Sequence, residues 1–266
     1  MTSFLNYFRQ GYRYRQLIMT MARRELVQKY IGSSIGLMWA VVYPLFMITI
    51  LWIVFGVGFK AVPARGVPFV VFLTAGLSSW YLFSDIVSGS TGVVMEHGEL
   101  IKKMPFPSQI LPVIKTIVGM VNHAIFIIIL IGLIAFHRLP ANLYYIQALY
   151  YLLALFVLAL GLSWLCASLT PFFRDVEHFI AIILQVGMWY TPVFWDLSML
   201  PEKFHIYFIY NPMFYIVQGY RDSFIYFKPF WAYPQQTIVF WGIAVTLLAV
   251  GGLSFKRLKH HFPDVL

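Results

Sequence analysis

The sequence predicts an all-α polytopic membrane protein, and three observations carry that prediction. First, 61% of its 266 residues are hydrophobic and only 11% are charged, against about 45–50% and about 25% in a soluble domain. One globular core of this size cannot hide such an excess. Second, nearly uncharged runs recur at the length needed to cross a bilayer, about 20 residues for about 30 Å of hydrocarbon. Third, Lys and Arg gather at both ends and in one internal loop, the pattern that orients a membrane chain. The expected architecture is a single transmembrane domain, 1–266. It has six transmembrane helices, an N-terminal interfacial amphipathic helix, and two short extracytoplasmic helices between spans five and six.

The first 32 residues form the interfacial helix. The opening, MTSFLNYFRQGYRYRQ, lacks the apolar core of a secretory signal, so the first true span is expected to direct insertion. Tyr14, Ile18, Met21 and Ala22 fall on one helical side, and Arg13, Gln16, Thr20, Arg23 and Arg24 on the other. A basic amphipathic helix of this kind lies in the headgroup boundary. Glu25 interrupts its apolar stripe.

The spans follow at about 35–58, 68–93, 109–136, 145–168, 178–195 and 235–255. Span one carries Pro44, and its Trp39, Tyr43 and Phe46 share one face by their spacing. Span five ends in MWYTPVFW, which contributes Trp189, Tyr190, Phe194 and Trp195. Aromatic rings at span ends ordinarily mark the lipid interface. Deeper in a wide pore, rings such as Tyr43 and Phe46 stack on sugar faces, so Trp39, Tyr43, Phe46, Trp189, Tyr190 and Phe194 are the candidate substrate channel. Residues 196–234 are aromatic but too polar to cross. Asn211-Pro212 reads as a helix start, an Asn cap with proline in the first turn. Two short helices, 197–209 and 212–226, follow from that reading.

Charge sets the orientation. With both ends in the cytoplasm the span count is even, and the inner side then holds twelve Lys and Arg, Arg9 among them, against six outside, Arg65 among them. Two charges fall within spans, Asp85 and Lys115, 15 residues on either side of residue 100. A charge at bilayer depth costs at least about 2.5–3.5 kcal/mol unless paired or wetted. The two are therefore expected to pair across antiparallel spans two and three, or both to face water near the cytoplasmic mouth. No internal repeat is visible, and a homodimer supplies the second half that a transport path needs.

The chemistry that is missing narrows the function. GSSIG at 32–36 has neither the spacing nor the lysine of a phosphate-binding loop. No H-E-x-x-H occurs, and the single cysteine, Cys166, leaves no disulfide or thiolate metal site. No nucleic-acid partner is indicated. The stretch EHGELIKKMPFP, 96–107, stands out instead. It is charged, closed by Pro105 and Pro107, and falls on the cytoplasmic side between spans two and three.

Three segments together resemble a known family. MARRELVQKYIGSSIGLMWAVVYPLFM, LIKKMPFPSQILPV and YNPMFYIVQGYRDSFIY are similar, in order and spacing, to ABC-2 type export permeases. The likeness covers essentially the whole chain and points to the members that move lipid-linked polysaccharide, such as O-antigen, capsule and teichoic acid. It implies a homodimer in the bacterial inner membrane, working with two copies of a separate P-loop ATPase that binds the ATP and Mg. No cofactor is implied in this chain. It implies that 94–108 is a coupling segment, with Glu96, His97, Glu99, Lys102 and Lys103 facing the ATPase. Arg23, Arg24 and Lys29 would meet the pyrophosphate of an undecaprenyl carrier arriving laterally. Asn211, Pro212, Tyr215 and Arg221 would belong to an extracytoplasmic gate. Other readings stay open: the same family exporting a hydrophobic drug or lipid, an ATP-independent channel, a proton-coupled carrier using Asp85, Lys115 and His123, or a membrane transferase.

Overall fold

The structure is a computed structural model and describes residues 13–30, 36–61, 63 and 66–266. Residues 1–12 and 31–32 of the helix expected over 1–32, and the charges of Arg9 and Arg65, lie outside them. Every element among the described residues is helical. Helix α1 is Arg15–Tyr30, and α2 is Trp39–Leu51, which continues through Pro44 and then widens into π-type turns over Trp52–Gly58. Helix α3 is Phe69–Thr91; two short helices follow, α4 at Val93–Glu96 and α5 at Gly98–Lys103. Helix α6 is Leu111–Phe136, α7 is Ala148–Leu169 and α8 is Asp175–Tyr190. Helices α9, Glu202–Ile209, and α10, Pro212–Arg221, precede α11, Pro234–Leu258, and α12, Phe262–Val265.

Among the described residues, five helical stretches are long and apolar enough to cross a membrane: Trp39–Gly58, Phe69–Thr91, Ser108–Phe136, Leu143–Leu169 and Pro234–Val265. The expected fifth span at 178–195 takes a different form. Its helix starts at Asp175 and stops at Tyr190, and sixteen residues rise only about 24 Å. Pro192 cannot donate a main-chain hydrogen bond, and residues 191–195 run as turns instead.

Burial ranks the helices. Helix α3 sits at the centre, with 78% of its most apolar stretch covered by protein, whereas the α2 stretch is only 17% covered. Around α3 pack α6, α7, α8 and α10. The longest seam runs between α7 and α11. There Gly161 lets the two backbones touch, since a Cβ on it would meet the Leu248 nitrogen at 2.5 Å. Apolar residues of α3, α7 and α10 form one cluster. A second cluster gathers Ile18 and Ala22 of α1 with Val93, Val94, Ile114 and Phe255. The apolar side of α1 thus meets protein, not only the headgroup layer expected for it. Likewise α10 is no surface helix: eight of its ten residues are buried, because α3, α7 and α11 enclose it.

Candidate functional site

Six titratable side chains from α1, α3, α4 and α6 and the turn after α4 meet in one cavity. Helix α1 presents Ile18, Ala22, Glu25 and Lys29 along one side at spacings of three and four. The first two bury in the core, which brings Glu25 onto α6. Lys115 of α6 pairs there with Glu25 at 3.2 Å and with Glu96 of α4 at 3.0 Å. Lys115 and Glu25 are 17% and 15% exposed, so both side chains are largely covered by protein. Glu25 Oε1 is buried and has no hydrogen-bond partner among the described residues. Glu25, Lys29, Asp85, Glu96, His97 and Lys115 all line a cavity of about 580 Å³.

The expected pair of Asp85 with Lys115 does not form. Asp85 Oδ2 accepts from Asn122 Nδ2 at 2.8 Å and lies 3.9 Å from Lys29 Nζ. Lys115 lies nearer two other carboxylates, and those satisfy it. Both residues line the same cavity.

A second cavity, of about 440 Å³, shares Lys29 and Asp85 with the first. Trp39, Tyr43, Tyr81 and Phe126 supply its aromatic wall, and Asp85 and Asn122 its polar side. Tyr43 meets Tyr81 edge-on at 6.1 Å, and Tyr81 stacks on Phe126 at 5.3 Å. Of the six channel candidates, only Trp39 and Tyr43 come together here. Phe46 is 62% exposed and outside this cavity. Trp189 and Tyr190 are exposed near the break at 191–195, where Tyr190 lines a groove with Trp80, Tyr207 and Asn211. Phe194 cannot line a channel in this arrangement: it is 2% exposed and stacked on Phe55 at 5.0 Å.

The 94–108 stretch forms α4, α5 and an extended exit through Pro105 and Pro107. Glu99 and Lys103 are well exposed and pair at 2.7 Å across one turn. His97 donates through Nδ1 to Val93 O at 3.0 Å and joins the two helices. Lys102 Nζ donates to the main-chain oxygen of Leu266 at 2.6 Å. Glu96 is drawn inward by Lys115. Arg23 and Arg24 are exposed on α1 and stand apart from Lys29, which turns to the cavities. The three candidate pyrophosphate contacts therefore do not form one cluster.

Near the 191–195 break the four gate candidates fasten neighbouring chain. Asn211 caps α10, accepting from Met213 N at 2.9 Å while its Nδ2 donates to Thr191 Oγ1 at 3.0 Å. Pro212 occupies the first turn of α10. Tyr215 is buried, its hydroxyl 3.0 Å from both the Tyr150 hydroxyl and Thr237 Oγ1. Arg221 is 1% exposed. It donates to Pro192 O at 2.8 Å and Val193 O at 2.6 Å, and its guanidinium lies 3.5 Å over the Phe72 ring. Burial pulls its pKa down to about 10, so the cation persists at neutral pH. Tyr215 and Arg221 hold neighbouring chain in place and offer no surface to a passing substrate.

Sequence reasoning missed Glu25, Asn122 and Tyr81 as site residues. A signal existed for the first: an acid that breaks an apolar stripe requires a cation, and Lys115 was the only lysine within a span.

Residues 16–225 match the family of ABC-2 type transporters. The O-antigen export system permease protein RfbA of Klebsiella pneumoniae is 26% identical over 94% of this chain and 95% of its own. Its namesake from Myxococcus xanthus is 25% identical over 96% and 97%. The polysialic acid transport protein KpsM of Escherichia coli is 21% identical over 75% and 78%. With a family match across most of its length and several helices fit to cross a bilayer, this chain is a multi-pass membrane protein that belongs to the ABC-2 type transporter family.

Proposed function

We propose that the chain is the permease subunit of an ATP-driven exporter of lipid-linked polysaccharide in the bacterial inner membrane. One observation carries this reading: relatives named as O-antigen export permeases align with the chain almost end to end. The substrate class favoured is an O-antigen glycan on an undecaprenyl carrier. Helix α8 together with the turns at 191–195 completes a sixth crossing, which returns the C-terminal end to the side of α1. Positive charge puts both in the cytoplasm. Two copies of the chain form the path, and two copies of a P-loop ATPase bring the ATP and Mg.

Chemically, ATP closure in the partner moves the α4–α5 segment, which meets it through Glu99 and Lys103. Lys115 carries that displacement to α1 and α6, because Glu96 and Glu25 share its ammonium. A two-state shift needs such a rigid link between the site of input and the helices that move. Arg23 and Arg24 stay free on the outer side of α1 to receive an anionic carrier head. The short outer helices α9 and α10, fastened through Asn211 and Arg221, form the far gate.

The test is made in the native host. Cells lacking the chain are expected to accumulate glycan-lipid inside and to lose surface glycan. The tagged chain is expected to purify with a P-loop subunit in equal amounts. Unchanged surface glycan, or a chain that purifies alone, overturns the reading.

A further inference from the structure

Helix α5 is held by a segment far from it in sequence. It has six residues and none of them is buried, and a helix shorter than about 12–15 residues is marginal by itself. The stretch 259–266, a tight turn over Lys259–His261 followed by α12, packs against it. We propose that this stretch is a clasp that sets the pose of the α4–α5 segment, with Lys102 and Leu266 as positioning residues. The proposal rests on the coupling reading above and names what makes that segment rigid enough to pass on a push.

The clasp has a grip and an anchor. On α5, Gly98 and Lys102 are four residues apart and share one face. Leu266 lies over that face, its Cβ 3.7 Å from where a Cβ on Gly98 would stand. The Leu266 main-chain oxygen accepts from Lys102 Nζ at 2.6 Å. Glu99 and Lys103, the exposed pair, stand about 100° further round the helix. One face of α5 thus meets the chain itself and the next stays open to a partner. Behind the grip, Phe262 is fully buried, edge-on to Phe255 of α11 at 5.5 Å and 6.3 Å from Phe172 in the turn after α7. Lys259 Nζ donates to Gln109 Oε1 at 3.3 Å, and the Gln109 main-chain oxygen accepts from Trp164 Nε1 of α7 at 3.1 Å. The clasp therefore holds the charged stretch on both sides of Pro105 and Pro107.

The arrangement gives a push somewhere to go. Ile101 and Phe106 join the apolar cluster that also takes in Leu258, Leu266 and Phe172. Force applied to α5 through Glu99 or Lys103 meets Leu266 and Phe262 and passes to Phe255 on α11, the helix with the longest seam against α7. Without the clasp the same force bends α5 at Met104, where the backbone is extended. A packed link between the site of input and the helices that move is what a two-state shift requires.

A reversible bridge tests this. The Cβ spacing between positions 98 and 266 falls within the roughly 3.5–4.5 Å that a disulfide spans. In a chain carrying Cys166→Ala, Gly98→Cys and Leu266→Cys supply two thiols, and Lys102→Met removes the native hydrogen bond. Inverted membrane vesicles holding this chain and its ATPase are assayed reduced and oxidised, beside the native chain treated alike. The quantity read is host glycan-lipid moved per ATP hydrolysed, which a smaller number of folded complexes does not change. Mild oxidation is expected to close the bridge, seen as thiols lost to maleimide labelling. The ratio is expected to fall about tenfold in the reduced form, the loss of a hydrogen bond from a charged group, and to return on oxidation. Lys102→Arg alone keeps a donor and is expected to keep the native ratio. Thiols that stay free, a native ratio in both states, or a closed bridge without recovery each overturn the clasp. Should the multiple variant not assemble, Lys102→Met alone is compared with Lys102→Arg, and equal ratios overturn it. Native vesicles that hold no ATPase sink the export reading instead, while closure of the bridge still reports on the contact.

Discussion

Lys115 illustrates how a single ammonium can serve three helices. It sits 3.0 Å from Glu96 and 3.2 Å from Glu25, in a site where Glu25 already has one oxygen unpartnered. Removing one member of a buried pair strands the other charge, at about 3–5 kcal/mol. Lys115→Met is therefore expected to destabilise the protein by about 3 kcal/mol, read as an earlier thermal transition in detergent. The double variant Lys115→Met with Glu25→Gln should recover part of that loss, since contacting residues are not additive. Equal loss in single and double variants would contradict the tie. Arg221 makes a parallel case. Its planar fork reaches two carbonyls of the 191–195 break at once, which a lysine does not reproduce. Arg221→Lys should keep the charge yet leave a carbonyl unmet, at about 1–3 kcal/mol, and raise protease cutting within 191–200.

At the scale of the element, caps and close approaches decide where helices start and cross. Asn211→Ala removes the α10 cap and its bond to Thr191, and about 1 kcal/mol of stability should go with it. Gly161→Leu should be worse, about 3 kcal/mol or loss of assembly by size-exclusion chromatography, because its side chain has no room beside Leu248. What the sequence makes legible at this scale is local. Length and apolarity identify the five long helices, and Asn-Pro identifies the start of α10. Non-local facts stay hidden. Helix α8 ends at Tyr190 with the carbonyls beyond it held by Arg221, some thirty residues on. The burial of α10 is masked by its Tyr, Gln and Arg, which read as an interface helix until α3, α7 and α11 close around them. The direct Asp85–Lys115 pair is absent for the same reason: depth along two spans is legible, but Glu25 arriving from α1 is not.

The whole molecule separates a covered centre from a sparsely covered flank. Helix α3 is enclosed while α2 presents most of its length outward. A helix so little held by its own chain is the natural one to move or to meet a second copy. The exposed Glu99–Lys103 pair contributes only about 0.3–0.5 kcal/mol to the fold, so its reversal should leave assembly intact. Glu99→Lys with Lys103→Glu is expected to abolish copurification of the ATPase without shifting thermal stability. A shift in stability with the partner retained would assign the pair to the fold. The Glu25–Lys115 contact has a further consequence, for biosynthesis. The acid leaves the ribosome 90 residues ahead of its cation, roughly 5–18 s at ordinary elongation rates. Until α6 follows, α1 has no partner for that charge and remains unseated. Nascent chains arrested short of α6 should thus leave α1 open to protease, and longer ones should protect it.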